Sequence, residues 1–218
     1  MQPEFWHKRW RNDQIGFHQP SVDRNLIRHW PPLDLGQGAR VFVPLCGKSL
    51  DMLWLQDQGY PVVGVELSTI ALEAFCMENG VPARRRVLDT FDVYEAANLQ
   101  LFRGDFFALT PALLGEVAAV YDRAALISWT EELRVPYVSH LAALMRPGTP
   151  MLLIAMEYPQ AQMSGPPFSV PRDEVARLYS RHFEIREIDR QDILAHESRL
   201  RARGVTELVE VCYQMVRL

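Results

Sequence analysis

The sequence predicts an α/β fold in which a mostly parallel sheet carries helices on both faces. Strand and helix patterns alternate along the 218 residues, which is the order that a parallel sheet requires. The first motif runs from an apolar segment at 40–44 through a turn at Gly47 and a helical segment to a second apolar run that ends at Glu66. Such a strand–turn–helix–strand motif binds ligands at the carboxyl ends of its strands. The length suits a single domain spanning residues 1–218.

The remaining helices and strands follow from the spacing of their apolar residues. Apolar residues recur at helical spacing between Ser49 and Gly59, where the glycine ends the predicted helix. The other segments with helical periodicity are 69–79, 131–145 and 173–183. The other short apolar runs, which predict strands, are 99–103, 117–121 and 151–156. The most apolar of these runs, 151–156, is expected to be central in the sheet.

The C-terminal third departs from this alternation. Residues 159–171 include four prolines and one glycine, too many for a helix or a central strand. This segment is predicted to be an ordered loop beyond the carboxyl end of a strand, where it would border the active site. Residues 183–189 and 206–217 alternate apolar and polar side chains, so they predict two strands, at least one of them antiparallel. The segment 84–98 has a mixed pattern that assigns no element.

The charge balance argues against a nucleic-acid partner. The chain has 27 acidic and 23 basic residues, a formal charge of −4 and a pI near 5.9. The basic runs at 84–86 and 199–203 are short, as solvated surfaces often show. No run approaches the ~20 apolar residues of a membrane span, and the N-terminus lacks an apolar signal core. We therefore expect a small-molecule partner and no membrane association. Nothing in the sequence demands more than a monomer, so a monomer is expected.

The cysteines and histidines favour neither disulfides nor a metal. Cys46, Cys76 and Cys212 are far apart and odd in number, so reduced thiols in the cytoplasm are predicted. Cys46 lies in the glycine turn and is either a reactive thiol or, as free cysteines more often are, a small buried filler. The six histidines show no HxxxH or HxxE spacing, and no metal site is predicted.

The position of Glu66 predicts a nucleoside-containing cofactor. Glu66 lies about 20 residues after Gly47, the spacing at which such folds place a carboxylate on a ribose. The dinucleotide pattern GxGxxG is absent, because Gly47 is the single glycine of its turn. Asp105, in a turn after the third apolar strand, is placed where an adenine amino group would bind. A terminal pair of antiparallel strands is typical of methyltransferase sheets, and both features favour S-adenosylmethionine.

Six blocks of sequence carry a resemblance to a known family. They are FWHKRWRNDQIGFH (5–18), VPLCGKSLDMLWL (43–55), GVELS (64–68), GDFF (104–107), YDRAAL (121–126) and GPPFSVPRDEV (165–175). The blocks occur in family order and span nearly the whole chain. On them the sequence resembles the thiopurine S-methyltransferase family, and its bacterial members more closely than its animal ones.

The resemblance implies a Rossmann-like class I methyltransferase sheet, mostly parallel with a C-terminal antiparallel strand. It also implies methyl transfer from S-adenosylmethionine to the sulfur of aromatic or heterocyclic thiols such as thiopurines, with release of S-adenosylhomocysteine and without a metal. Two alternatives stay open: methylation of selenium or tellurium compounds by the same site, and a cofactor-binding protein that has lost its chemistry.

The resemblance also assigns site residues by position. The positions that match family cofactor contacts are Trp10, Leu45, Glu66, Asp105, Phe106 and Arg123. Glu66 is expected to accept hydrogen bonds from ribose hydroxyls, and Asp105 and Phe106 to flank the adenine. Arg123 is also expected to face the acceptor, and Phe17 matches a position in the aromatic wall of the family's acceptor pocket. Arg199 matches, through a shorter alignment, a second arginine near the substrate, so Arg123 and Arg199 are the candidate catalytic residues. Residues 1–30 would form an aromatic lid over this site.

Three of these residues also fit purely structural roles. Trp10, with another tryptophan four residues earlier, could belong to one face of an amphipathic N-terminal helix. Asp105 could cap a helix that begins at the next residue. Arg123 could form a structural ion pair with Asp122 or Glu131. The residues alone do not decide between these roles and ligand binding.

Overall fold

Strands and helices are distributed along residues 3–218, the part of the chain that this computed structural model describes. Nine strands and eight α-helices lie in those residues, which confirms the predicted α/β class. The chain divides into two compact units, Met1–Tyr121 and Asp122–Leu218.

The sheet of the first unit is built around the predicted strand–turn–helix–strand motif. Its strands are β1 (Val41–Pro44), β2 (Val62–Glu66), β3 (Arg84–Leu88), β4 (Phe91–Ala96), β5 (Leu99–Arg103) and β6 (Ala119–Arg123), the last of which ends two residues past the boundary. Their order is β3–β4–β5–β2–β1–β6. β1 runs parallel to β2 and β6, and β2 runs parallel to β5. β1 and β2 are buried throughout, as apolar strands of a parallel sheet are expected to be.

Five helices connect or precede these strands. They are α1 (Pro3–Arg11), α2 (Arg24–His29), α3 (Asp51–Asp57), α4 (Thr69–Glu78) and α5 (Pro111–Leu114). The α4 helix begins where Ser68 caps it, since the Ser68 hydroxyl accepts a hydrogen bond from the Ala71 N–H at 3.4 Å. The helix predicted from Ser49 to Gly59 is α3, which is two residues shorter at each end.

The segment with a mixed pattern, 84–98, forms an antiparallel hairpin that the sequence did not predict. β3 and β4 pair in register from Arg84 opposite Glu95 to Leu88 opposite Phe91. The turn between them includes Asp89, at a left-handed φ of 55°. Residues 84–87 of β3 are all exposed, because β3 ends the strand order, so the strand has no apolar alternation to reveal it.

The second unit contains three paired strands and three helices. The strands are β7 (Pro150–Glu157), β8 (Phe183–Asp192) and β9 (Val209–Arg217), and the helices are α6 (Glu131–Leu144), α7 (Arg172–Tyr179) and α8 (Ser198–Ala202). β9 is antiparallel to both β7 and β8, which confirms the predicted terminal strands. Acidic residues Glu131 and Glu132 occupy the first turn of α6, where the helix dipole favours negative charge.

The proline-rich segment 159–171 is an ordered loop, as predicted. Its one regular element is a 3₁₀ turn at Gln160–Gln162. The Gln160 side chain holds both ends of the loop: its amide nitrogen donates to the Met163 carbonyl at 2.6 Å, and its oxygen accepts from the Ser169 N–H at 2.8 Å. Tyr158 donates its hydroxyl hydrogen to the Pro167 carbonyl at 2.6 Å. The loop is therefore shaped by side chains rather than by strand pairing.

No helix within residues 3–218 combines the length and the apolar character needed to cross a lipid bilayer.

Candidate functional site

The turn after β1 has a backbone that side chains rarely adopt. Leu45 has a φ of 47° and Gly47 a φ of 54°, both in the left-handed region. For a leucine this conformation costs on the order of 1 kcal/mol, whereas glycine adopts it freely. The Cys46 N–H donates to the Val65 carbonyl at 3.0 Å and so ties the turn to β2. Strain of this kind is concentrated at ligand-binding sites, where the surroundings maintain it.

Glu66, the last residue of β2, holds this turn through its side chain. Its Oε2 accepts a hydrogen bond from the Gly47 N–H at 3.0 Å, and its Oε1 accepts one from the Ser68 N–H at 2.8 Å. The residue is only 7% exposed. Each carboxylate oxygen has a second lone pair, so Glu66 can still accept hydrogen bonds from ligand hydroxyl groups. The same carboxylate therefore joins the turns after β1 and β2 and offers acceptors to a ligand.

The protonation of Glu66 depends on two opposing effects. Burial raises the pKa of Glu66 to about 7, although the N–H groups of Ser68, Gly47 and Leu67 act to lower it. At neutral pH the side chain is therefore a mixture of charged and neutral forms. Any ligand hydroxyl that donates to the carboxylate favours the charged form.

Cys46 fills space rather than offering a reactive thiol. A Cβ on Gly64 of β2 would lie 2.7 Å from the Cys46 Sγ and 2.9 Å from the Leu101 Cδ2. The missing side chain at Gly64 thus lets Cys46 pack directly on β2. Burial, and next the charge of Glu66, raise the pKa of the Cys46 thiol well above its usual value. The filler interpretation of Cys46 fits this environment.

An aromatic cluster of the N-terminal segment contacts the glycine turn through Trp10. We call Trp6, Trp10 and Phe17 the aromatic cover. Trp10 is 6% exposed, and its Cζ2 atom lies 3.4 Å from the place where a Cβ on Gly47 would be. Phe17 meets Trp10 and Trp6 edge to face, with ring centroids 5.5 Å and 5.8 Å apart. Trp10 is thus both a packed residue of α1 and a neighbour of the turn.

The turn after β5 is hydrogen-bonded to Glu66 at the end of β2. The Gly104 N–H donates to the Glu66 backbone carbonyl at 2.9 Å. A Cβ on Gly104 would lie 2.4 Å from the Phe91 ring, so only glycine fits there.

Asp105 is exposed and caps a 3₁₀ helix at Phe106–Ala108, accepting a hydrogen bond from the Phe107 N–H at 3.0 Å. Its capping role is observed, and its exposed side chain leaves the predicted adenine contact open. Phe106 is 2% exposed.

A carboxylate that the sequence did not single out, Asp51, lies behind the turn. It is fully buried at the start of α3. Its Oδ1 accepts the Asp23 N–H at 2.8 Å, and its Oδ2 accepts a hydrogen bond from the Tyr121 hydroxyl at 3.1 Å. The sequence signals only an acidic residue in a first helical turn, which is common at exposed positions. The burial of Asp51 depends on partners from remote parts of the chain.

The two candidate catalytic arginines lie in the second unit. Arg123 is the half-buried last residue of β6, and Arg199 is exposed on α8. Because side chains alternate across a strand, Arg123 and the preceding Asp122 point to opposite faces. Asp122 accepts hydrogen bonds from the Tyr137 hydroxyl at 2.7 Å and the Leu126 N–H at 3.2 Å. The roles of Arg123 and Arg199 in a site remain predictions.

The helix that carries Arg199 is held to the proline-rich loop. Leu200 of α8 belongs to a small apolar cluster that also contains Tyr158, Met163, Ile193, Val205 and Leu208. Arg203, just after α8, donates to the Pro166 carbonyl at 3.4 Å. The loop and the segment around Arg199 are thus packed on each other within the second unit.

Across residues 3–218, no three His, Cys, Asp or Glu side chains are grouped closely enough to hold a metal ion.

Comparison of the amino-acid sequence with known proteins gives matches along the whole chain. A family model described as Thiopurine S-methyltransferase matches residues 1–218. The thiopurine S-methyltransferase of Nitrosomonas eutropha is 46% identical over 218 residues, which cover 100% of this chain and 99% of that protein. That of Nitrosospira multiformis is 45% identical over 216 residues, covering 99% and 98%.

Comparison of the fold gives matches among solved methyltransferases. An S-adenosylmethionine-dependent methyltransferase from Anabaena variabilis has a TM-score of 0.65 at 16% identity, covering 99% of this chain and 95% of that one. Burkholderia thailandensis 1,6-didemethyltoxoflavin-N1-methyltransferase, with its acceptor and S-adenosylhomocysteine bound, has a TM-score of 0.62 at 15% identity, covering 98% and 87%. These similarities confirm the predicted class I methyltransferase fold.

Proposed function

Because this chain belongs to the thiopurine S-methyltransferase family, and is thus a methyltransferase, we propose that it methylates the sulfur of aromatic or heterocyclic thiols. The methyl donor is S-adenosylmethionine, and S-adenosylhomocysteine is released. One observation carries the proposal. Glu66 is a buried carboxylate that joins two turns at the carboxyl ends of parallel strands and keeps lone pairs for a ligand.

The residues around Glu66 fit an adenosyl cofactor. The Glu66 carboxylate would accept the ribose hydroxyls, and Trp10 and Leu45 would contact the cofactor beside Gly47. Asp105 and Phe106 would flank the adenine, since they lie in the turn and 3₁₀ helix that follow β5. A single glycine suffices in the first turn because this cofactor has no pyrophosphate group to bind.

The chemistry requires positioning and charge more than a strong base. When bound, the cofactor supplies a methyl group on a sulfonium cation. Aromatic thiols ionise readily, so the acceptor reacts as a thiolate whose proton has already passed to solvent. Arg123 and Arg199 would stabilise this anion, because an arginine stays charged at any working pH. The acceptor sulfur forms a bond to the methyl carbon while the bond between that carbon and the sulfonium sulfur breaks. The electron pair of the broken bond stays on the departing sulfur.

An aromatic wall would select the shape of the acceptor. Phe17 is the proposed wall residue, and its ring is fixed by edge-to-face contacts with Trp10 and Trp6. Flat heteroaromatic rings bind well against such surfaces, and the apolar wall excludes water from the reacting sulfur. The formal charge of −4 also favours a small molecule over a nucleic acid as acceptor.

The test is a screen of acceptors with the purified protein. Thiols, thiones and oxyanions of selenium and tellurium would each be incubated with S-adenosylmethionine, and S-adenosylhomocysteine would be measured. Heterocyclic thiols are expected to give S-adenosylhomocysteine and an S-methylated product. Volatile methylated selenium or tellurium species without thioether would reassign the acceptor. Cofactor binding without turnover on any of these nucleophiles would indicate a binding protein that lacks the chemistry.

A further inference from the structure

The Asp51 carboxylate joins three parts of the first unit that are far apart in the sequence. Its contacts to the Asp23 N–H, at 2.8 Å, and to the Tyr121 hydroxyl, at 3.1 Å, span 28 and 70 residues of chain. Asp51 itself is 0% exposed. A buried carboxylate is unfavourable unless such donors stabilise it, and a donor deprived of this carboxylate would itself be unsatisfied. The contacts therefore fix the three segments relative to one another.

Asp51 also defines one end of the turn that contains Gly47. It is the first residue of α3, and its N–H donates to the Ser49 hydroxyl at 3.3 Å. On the other side of the turn, the Gly47 N–H donates to Glu66 at 3.0 Å. Two buried carboxylates thus hold the turn, one at the proposed ribose site and one behind it.

The segment that Asp51 holds continues from the aromatic cover. Phe17, the last residue of the cover, is followed by a short connection to Asp23, which caps α2 through its contact with the Asn25 N–H at 2.8 Å. The cover in turn packs Trp10 on Gly47. The N-terminal segment therefore contacts the same turn twice, through a ring at Trp10 and through a hydrogen bond at Asp23.

We infer that Asp51 is a positioning residue that keeps the aromatic cover over the cofactor turn. Loss of its contact with Asp23 releases the downstream end of the cover, so Trp10 no longer lies in a fixed place over Gly47. The turn then binds the cofactor less tightly, although Asp51 does not touch the cofactor. This inference rests on the proposed use of the turn to bind S-adenosylmethionine.

Binding of S-adenosylhomocysteine, measured by calorimetry, tests the inference in the full chain. Asp51→Ala removes both contacts and is expected to raise Kd about tenfold, in line with the loss of a charged hydrogen bond. Tyr121→Phe is the matched control, because it removes the hydroxyl contact and leaves the Asp23 contact in place. Its Kd is expected to stay within about 1.5-fold of wild type. An unchanged Kd in Asp51→Ala would overturn the inference.

A double variant distinguishes positioning of the aromatic cover from a general loss of structure. In Trp10→Ala the cover no longer contacts Gly47, so adding Asp51→Ala is expected to change Kd by less than about twofold. Multiplying losses in the double variant would contradict the inference. In steady-state assays, Asp51→Ala should raise the KM for S-adenosylmethionine while kcat at saturating cofactor stays within about threefold. A fall in kcat with unchanged KM would also contradict it.

Asp51→Asn keeps the inference testable if the alanine variant does not fold. Asparagine keeps the shape of the side chain but replaces charge-assisted hydrogen bonds with weaker neutral ones. Kd is expected to rise about threefold, and only while Trp10 is present. Wild-type protein that binds S-adenosylhomocysteine but methylates no thiol would contradict the proposed acceptor and leave this test intact. Wild-type protein that binds no S-adenosylhomocysteine would contradict both the proposed cofactor and the role of Asp51.

Discussion

At Glu66, burial and hydrogen bonding act in opposite directions on one carboxylate. Burial raises its pKa to about 7, while backbone N–H donors favour its charged form. The hydroxyl groups of a ribose would add two more donors. Cofactor binding is therefore expected to lower the pKa of Glu66 and to release protons near neutral pH.

This linkage makes cofactor affinity depend on pH. The affinity for S-adenosylhomocysteine should rise as pH increases from 6 to 8, because the charged carboxylate accepts the ribose hydroxyls. Glu66→Gln should remove this dependence, and Glu66→Ala should raise Kd about ten- to a hundredfold, for hydrogen bonds of roughly 1.5–3 kcal/mol to a charged group. Calorimetry at three pH values would measure both effects, with Glu73→Gln, on the exposed face of α4, as the control. An unchanged Kd in Glu66→Ala would reject the ribose assignment.

Arg123 should affect turnover through the ionisation of the acceptor. If its charge stabilises the thiolate, Arg123→Ala should lower kcat more at a pH near the pKa of the thiol than at a pH where the thiol is fully ionised. A loss of about tenfold or more is expected at the lower pH. Arg181→Ala, an exposed position between α7 and β8, serves as the control. Equal losses at both pH values would instead indicate a structural or cofactor-binding arginine.

The sequence reveals individual residues when a local pattern places them. Glu66 was predicted because the strand before it and the glycine turn before that strand fix its position. Asp51 and Asp122 were not predicted as buried groups, since their stabilising hydroxyls come from Tyr121 and Tyr137. Tyr121 lies 70 residues from Asp51 and Tyr137 lies 15 residues from Asp122, so no short window of sequence contains both the carboxylate and its hydroxyl donor. Sequence reasoning therefore finds residues at strand ends more easily than the buried network behind them.

At the scale of the element, the packing of the first turn on β2 depends on one missing side chain. A Cβ on Gly64 would lie 2.7 Å from the Cys46 Sγ and 2.9 Å from the Leu101 Cδ2, so Gly64→Ala must displace both atoms or shift β2 itself. Overpacking of this kind typically costs about 1–3 kcal/mol of unfolding free energy. Displacement of Cys46 would also move the adjoining Gly47 and weaken cofactor binding.

Urea denaturation and cofactor titration of Gly64→Ala would measure both consequences. Gly36→Ala is the matched control, because a Cβ there has no neighbour within 4 Å and the residue is exposed. The control should be within about 0.5 kcal/mol of wild type. Equal stability and affinity in Gly64→Ala would show that the turn adjusts without loss.

A strand or helix could be predicted from the sequence when it has a clear apolar run or apolar periodicity. β1, β2, β7 and α6 have apolar runs or periodicity because they are buried on one or more faces, and the bounds predicted for them lie within one residue of the observed ones. The β3–β4 hairpin was missed, because β3 consists largely of exposed arginines. An exposed edge strand forms because it pairs with a neighbouring strand. The pattern of its own residues does not reveal that pairing.

At the scale of the whole molecule, the predicted class I methyltransferase fold follows from the order of its elements. Alternating strands and helices limit the possible connections to a few, and the antiparallel β8–β9 pair then separates this sheet from dinucleotide-binding sheets. Solved methyltransferases under 20% identical share the fold, so the order of elements outlasts the residues that form them. The acceptor is determined by a few side chains, which is why the fold alone does not identify it.

Two buried carboxyl groups should make the folded chain more stable in mild acid than at pH 8. Burial raises the pKa of Glu66 from 4.5 to about 7 and that of Asp122 from 3.8 to about 6. Between the unfolded and the folded pKa of each group, the folded chain holds a proton that the unfolded chain has released. The stabilisation is therefore fully present below about pH 4 and is lost as pH rises through 6 and 7.

Urea denaturation between pH 5 and pH 8 measures this effect directly. The unfolding free energy should be higher at pH 5, by roughly 2–3 kcal/mol from Glu66 and by less from Asp122. Glu66→Gln should remove most of the dependence between pH 6 and 8, and Asp122→Asn should remove part of it between pH 5 and 6. Saturating S-adenosylhomocysteine should flatten the wild-type curve in the same range as Glu66→Gln, because it holds Glu66 in the charged form. A wild-type curve that rises with pH across this range would show that burial does not control either group.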